Sequence, residues 1–193
     1  MSLRFLHLLW ILLFLPQFAL ANFSNKPQVK DFIHKMVVKH HFTKAGLITL
    51  FEQVKVRPAV IHSMKAPLEQ KPWYTYQMLF VTEWRIRQGV AFWNKYQNTL
   101  ERAEKMYGVP ASIIVATIGV ETKYGKNVGN YRVIDALANL AFSDSSRAPF
   151  FRNELEQFLL LAREQHLNPI KIMGSYAGAM GQPQFMPTRY YST

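Results

Sequence analysis

One carboxylate, Glu121, interrupts the apolar helical run "IIVATIGVETKYG". An ionised carboxylate taken out of water costs several kcal/mol unless it is paired or protonated, so its presence there calls for a physical reason. In a helix its same-face neighbours toward the N-terminus are Thr117 and Ile118, with Ile114 one turn further back. Gly119 removes bulk from another part of that surface. In such a setting a carboxyl is expected to be pushed upward by desolvation, as a general acid near neutral pH requires against a model-peptide value of about 4.3. The alternative is structural: Glu121 falls in the last turn before Gly125, close to Lys123, where an exposed helix-end carboxylate needs no chemistry. The residue pattern alone leaves both readings open.

Other chemistries are poorly served. The chain has no cysteine, which excludes disulfides, thiolate metal sites and a cysteine nucleophile. Its six histidines form no His-Glu-x-x-His pair, and the adjacent His40 and His41 point apart on a helix, so they read as surface residues rather than a metal site. "GKNVG" at Gly125 to Gly129 lacks the Gly-Lys-Ser/Thr ending of a phosphate loop. No serine, histidine and acid grouping stands out.

The elements that must position Glu121 read as helix almost throughout. Phe32, Ile33, Met36 and Val37 have helical spacing in residues 29 to 40, and Thr43 is an N-cap for a helix through Phe51. The Pro58 and Pro67 region reads as a loop, and aromatics cluster after Pro72. A long helix is predicted from Thr82 to Tyr107, with Ile86, Val90, Phe92, Trp93, Tyr96, Leu100 and Ala103 on or near one stripe. Gly108 stops it and Pro110 starts the next, which carries Glu121 and ends at Gly125. Helices follow at "VIDALANLAF" and "PFFRNELEQFLLLAREQH", the latter ended by Asn168-Pro169. The tail "GSYAGAMGQPQFMPTRYYST" carries too many glycines and prolines for a long helix. One all-α domain with at most minor β structure is the expectation.

The first residues, "MSLRFLHLLWILLFLPQFALANFS", have Arg4, a short apolar core, Pro16 and a small-x-small Ala19-Leu20-Ala21. That reads as a secretory signal peptide over residues 1 to 21, with a mature domain over 22 to 193, no transmembrane segment after cleavage and a periplasmic location. No cysteine is present for a lipid anchor. Cleavage removes Arg4 alone among the formal charges, taking +11 to +10. For an exported basic protein, an anionic envelope polymer or lipid headgroups are better partners than nucleic acid.

Three stretches, "IIVATIGVETKYGKNVGNYRVIDALANLAF", "SRAPFFRNELEQFLLLARE" and "GSYAGAMGQPQFMP", resemble the membrane-bound lytic murein transglycosylase B family, in order and from about Val29 to the end of the chain. "KPWYTYQMLFVTEWRIRQGVAFWNKY" and "YGVPASIIVATIGVET" are similar to the segments leading into that family's catalytic helix. The resemblance implies a lysozyme-like α-helical core that cleaves the β-1,4 bond between N-acetylmuramic acid and N-acetylglucosamine, forming a 1,6-anhydro end. It implies that Glu121 is the sole acid/base and that Ser175 helps hold its carboxyl. Gln184 would contact the sugar beside the scissile bond, and Arg147 would meet substrate peptide or carboxylate groups. At the position beside Arg147 where the family has a second arginine, this chain has Ser146. Tyr76 is a candidate cleft aromatic, and Asp135, Asp144 and Glu154 are the acids available for a second role.

Family members continue past the position of Thr193 through an acidic calcium-binding loop and more of the cleft wall. The expectation is therefore a chain missing the C-terminal part of the family domain, with no metal and no cofactor. Its partners would be peptidoglycan glycan strands and other cell-wall enzymes. A hydrolytic muramidase, or an inactive relative that only binds murein, are the alternatives.

Overall fold

The computed structural model describes residues 23–64 and 72–191, apart from the side chain of Tyr76. The signal-peptide reading of residues 1 to 21 and the loop reading of Pro67 lie outside the described residues. Within them the chain is all-α: α1 Pro27–His40, α2 Lys44–Glu52, α3 Pro58–Ser63, α4 Trp73–Phe80, α5 Glu83–Tyr107, α6 Ala111–Thr122, α7 Val133–Ala141 and α8 Ala148–Glu164. Two-residue strands β1 (Tyr131–Arg132) and β2 (Met173–Gly174) pair antiparallel, Tyr131 opposite Gly174 and Arg132 opposite Met173. No helix among the described residues is long and apolar enough to cross a membrane.

The main core forms around α7, every residue of which is buried: its apolar side chains are packed by other elements, and its one polar face, Asp135 and Asn139, is hydrogen-bonded to the backbone of Lys55 and Arg57. α8 lays Phe151, Leu155, Phe158 and Leu159 against it. From α1 and α2, Phe32 and Phe51 meet Phe142 edge to face at 5.7 and 6.2 Å. Pro58, expected in a loop, instead occupies the first turn of α3, where its missing N–H costs no hydrogen bond.

The long helix departs from expectation in what it buries. Of the predicted stripe on α5, only Leu100 is buried, while Ile86 and Val90 are each 58 % exposed. α5 packs chiefly on α6, through a small cluster of Leu100, Ala111 and Val115 backed by Phe92, Tyr96 and Tyr124. Helical periodicity marks which side chains share a face, but not whether another element arrives to cover it.

Three buried acids hold the fold together. Asp135 accepts from Arg132 Nε at 2.8 Å, from Arg132 Nη2 at 2.6 Å and from Lys55 N at 3.0 Å, pinning α7 to the segment after α2. Glu154 accepts from Thr188 N at 2.9 Å and Thr188 Oγ1 at 2.8 Å, fastening the final 3-10 turn, Pro187–Tyr191, to α8. Glu156, 2 % exposed, meets Lys35, Lys39 and His40 of α1. Burial pushes its carboxyl upward, but hydrogen bonds from Lys35, His40 and Lys39 outweigh that and hold it down at about 2. The adjacent histidines therefore differ in role: His40 is hydrogen-bonded to the buried Glu156, while His41 is the left-handed residue that ends α1.

Because the Glu156 carboxyl ionises more readily in the folded chain, its contribution is fully present above the unfolded value near 4.5 and is lost as pH falls toward 2. Discounted for the exposure of both lysines, it amounts to about 2 kcal/mol. Urea unfolding of the native chain and of Glu156→Gln should therefore differ by about that amount at pH 7 and converge near pH 2. A constant difference across that range contradicts the assignment.

Candidate active site

Glu121 sits in the last turn of α6. With Pro110 at its N-cap, that helix lacks a capping side chain of its own, and Glu104 of α5 supplies one by accepting from Ala111 N at 3.1 Å. The helix stops at Thr122, earlier than predicted, because Lys123, Tyr124 and Gly125 all take left-handed backbone (φ 52°, 61° and 81°). For the two non-glycine residues this costs on the order of 1 kcal/mol each.

Tyr124 fixes the turn. Its hydroxyl donates to Arg85 O at 3.0 Å, and its ring lies 5.6 Å from that of Phe92. Gly89 and Gly119 make room for it, since a Cβ on Gly119 would come within 2.5 Å of the Tyr124 oxygen. Gly119 thus serves the packing of Tyr124 between α5 and α6. Arg85 also donates to Gly119 O.

The end of α6 is joined to the glycine-rich tail. Thr122, fully buried, donates from Oγ1 to Gln182 O at 2.9 Å and accepts from Gly125 N at 3.0 Å. Gln184 donates from Nε2 to Val128 O and Gly181 O, both at 3.0 Å. At Gly129 (φ 108°) a Cβ would lie 1.9 Å from Gly174 O, so only glycine lets this loop reach β2. Ser175 follows at once. Its Oγ accepts from Ala177 N at 3.2 Å and Ala179 N at 3.1 Å, folding the tail into a turn whose Gly178 lies against Leu137 of α7.

The structure thus brings the Glu121 turn, the Gly125–Gly129 loop, Ser175 and Gln184 into one bonded unit. It does not join the Ser175 hydroxyl to the Glu121 carboxylate. Glu121 is exposed, and no hydrogen bond or ion pair ties it to another described residue. The apolar enclosure expected from its sequence neighbours is not built around Glu121 by the described residues: Thr117 is exposed, Ile118 is only half-buried, and Ile114 packs into the α5–α6 cluster instead. Arg147 lies at the start of α8, exposed, with its guanidinium 5.3 Å from the Phe151 ring centre and 5.5 Å from that of Phe150. No contact joins it to the Glu121 unit. Tyr76 is in α4, and its side chain lies outside the described residues.

Among the other acids weighed for a role, Asp135 and Glu154 are committed to the structural bonds above, and Asp144 is exposed in the turn before α8. Sequence reasoning passed over Thr122, the residue that couples the Glu121 turn to the tail. The residue type gave no signal, because the coupling runs across 60 positions.

The Transglycosylase SLT domain family matches residues 24–193. The chain belongs to that family. This SLT domain is 44% identical over 180 residues to the Membrane-bound lytic murein transglycosylase B of Escherichia coli (strain K12), covering 88% of this chain and 50% of that protein. Among solved structures it is similar to the soluble lytic transglycosylase SltB1 of Pseudomonas aeruginosa, with a TM-score of 0.82 at 49% identity over 86% of this chain and 56% of that one. It is also similar to SltB3 of the same organism, solved with NAG-NAM-pentapeptide, with a TM-score of 0.76 at 30% identity over 86% of this chain and 44% of that one. The SLT domain described here thus spans about half the length of the relatives it matches. Its fold is the lysozyme-like one of these lytic transglycosylases.

Proposed function

We propose that this SLT domain is a periplasmic murein lytic transglycosylase that cleaves between N-acetylmuramic acid and N-acetylglucosamine. The observation that carries the reading is the accessible carboxylate of Glu121, set on a turn bonded to the tail that carries Ser175 and Gln184. A glycosidase that uses water needs two carboxyl groups flanking the bond. Here Asp135 and Glu154, two of the acids weighed as a partner for Glu121, are buried in other duties.

One carboxyl is enough if the substrate supplies its own nucleophile. Glu121, protonated, donates to the glycosidic oxygen as the C1–O bond breaks. The C6 hydroxyl of the muramic acid then closes on C1, and the Glu121 carboxylate takes its proton. No water is consumed and the acid is regenerated. The substrate's acetamido group meets the charge that builds on the ring, with amide dipoles assisting. Gln184, whose Nε2 is held by Val128 O and Gly181 O, is the amide proposed to face the sugar, through its Oε1. The Ser175 oxygen already accepts from two N–H groups, so its own proton is the one it has to offer the carboxylate.

Exposure of Glu121 favours a second reading, in which the chain binds murein without cutting it. Product masses after incubation with sacculi separate the two. Fragments ending in 1,6-anhydromuramic acid, lighter by one water than hydrolysis products, are expected. Hydrolysed ends identify a muramidase, and intact sacculi carrying bound protein identify the binding-only reading.

A further inference from the structure

Away from Glu121, α1 and α2 enclose a groove of about 500 Å³, within the size range of ligand sites. One wall carries Lys30, Ile33, His34 and Val37, the i, i+3, i+4, i+7 stripe of α1. The other carries Lys44, Ile48 and Glu52, one per turn along α2. Ile33, 3 % exposed, forms the floor with Val37 and Ile48. The charged groups stand above it, and Lys30, His34, Lys44 and Glu52 make no ion pair or side-chain hydrogen bond with any described residue.

The arrangement of charge narrows the ligand. Lys44 and Glu52 open and close α2, eight positions apart, which is about 12 Å along the axis at 1.5 Å per residue. They are too far apart to pair, and with Lys30 on the facing helix the groove presents two lysines and one carboxylate. Extended polypeptide advances about 3.3 Å per residue, so about four residues span that distance. A simple anionic amphiphile suits Lys30 and Lys44 but meets repulsion at Glu52. A short peptide carrying carboxylates for Lys30 and Lys44 and one ammonium for Glu52 meets both signs of charge and lays small apolar side chains on the floor.

We propose that the α1–α2 groove is a peptide-binding site for an extended stretch of about four residues with both charges. Its source, resting on the transglycosylase reading, is the peptide portion of murein. The groove shares no residue with the Glu121 unit, so one polymer can engage both. A second attachment raises the effective concentration of glycan at the first.

Calorimetric titration of the full chain with three probes tests this: free murein pentapeptide, peptide-free NAG-NAM, and decanoate. Pentapeptide is expected to bind, and Val37→Trp, which fills the groove without changing its charge, to abolish that binding. Lys44→Glu and Glu52→Lys, surface changes that leave the core intact, should each weaken it about tenfold. Peptide-free NAG-NAM should bind all three variants as it binds the native chain. Absence of pentapeptide binding overturns the proposal, as does binding that none of the variants alters, or decanoate displacing the peptide. Groove-dependent peptide binding in a chain that leaves sacculi uncut supports the groove and overturns the transglycosylase reading instead. Cleavage that proceeds without groove-dependent peptide binding does the reverse.

Discussion

Replacing Glu121 with Gln should reduce the rate of murein cleavage by about 10²–10⁴-fold, the range a positioned acid/base supplies. Glycan binding should stay within about twofold, because the side chain is exposed and unbonded in the folded protein, so an isosteric amide disturbs no partner. The same exposure predicts an unchanged melting temperature, which makes the variant a clean one. The measurement is release of 1,6-anhydro products from sacculi, with binding followed by co-sedimentation. A Glu121→Gln chain that cuts at the native rate removes Glu121 from the mechanism. A Glu121→Asp variant adds a finer test, since it keeps the acid but withdraws it by one methylene. Partial activity is expected there if the acid must reach the glycosidic oxygen.

Gly129→Ala is expected to have the largest effect on stability. Two costs coincide at this position. A φ of 108° lies in a region that residues with a Cβ rarely adopt, and the added carbon would stand 1.9 Å from Gly174 O and 2.6 Å from Ser175 N. These are backbone atoms, so no side chain can swing aside. Either the Gly125–Gly129 loop lifts or β2 separates from β1, and in both cases Ser175 and Gln184 move relative to the Glu121 turn. A loss of about 3 kcal/mol or more is expected by urea unfolding. Cleavage should fall even at temperatures where the variant stays folded, because the Gln184 bond to Val128 O depends on that loop. Gly108→Ala is the control: it also has positive φ (69°), but a Cβ there meets nothing within 4 Å, so only the smaller backbone cost applies. If the two variants lose equal stability, the steric contact with β2 is not what sets the requirement at Gly129.

The all-α class, the positions of most helices and the family are written in the order of residues along the chain. Those signals are local. The Phe32-Ile33-Met36-Val37 spacing of α1, Gly108 ending α5 and Pro110 opening α6 each act within a few residues of where they are read. Glu121, Ser175 and Gln184 could be named as candidates because the motifs carrying them are contiguous. What these residues touch was set by the packing of distant segments, and so by the tertiary structure. It separated the acids into Glu121, free and exposed, and Asp135, Glu154 and Glu156, buried and bonded, although all four lie on predicted helices. It left Ile86 and Val90 of α5 uncovered and turned the α1 and α2 stripes into a groove. The physical reason is common to all of these. A helix's existence follows from interactions three or four residues apart, whereas burial, charge pairing and enclosure depend on which distant segment arrives on each face, as Gln182 does on Thr122 and Thr188 on Glu154.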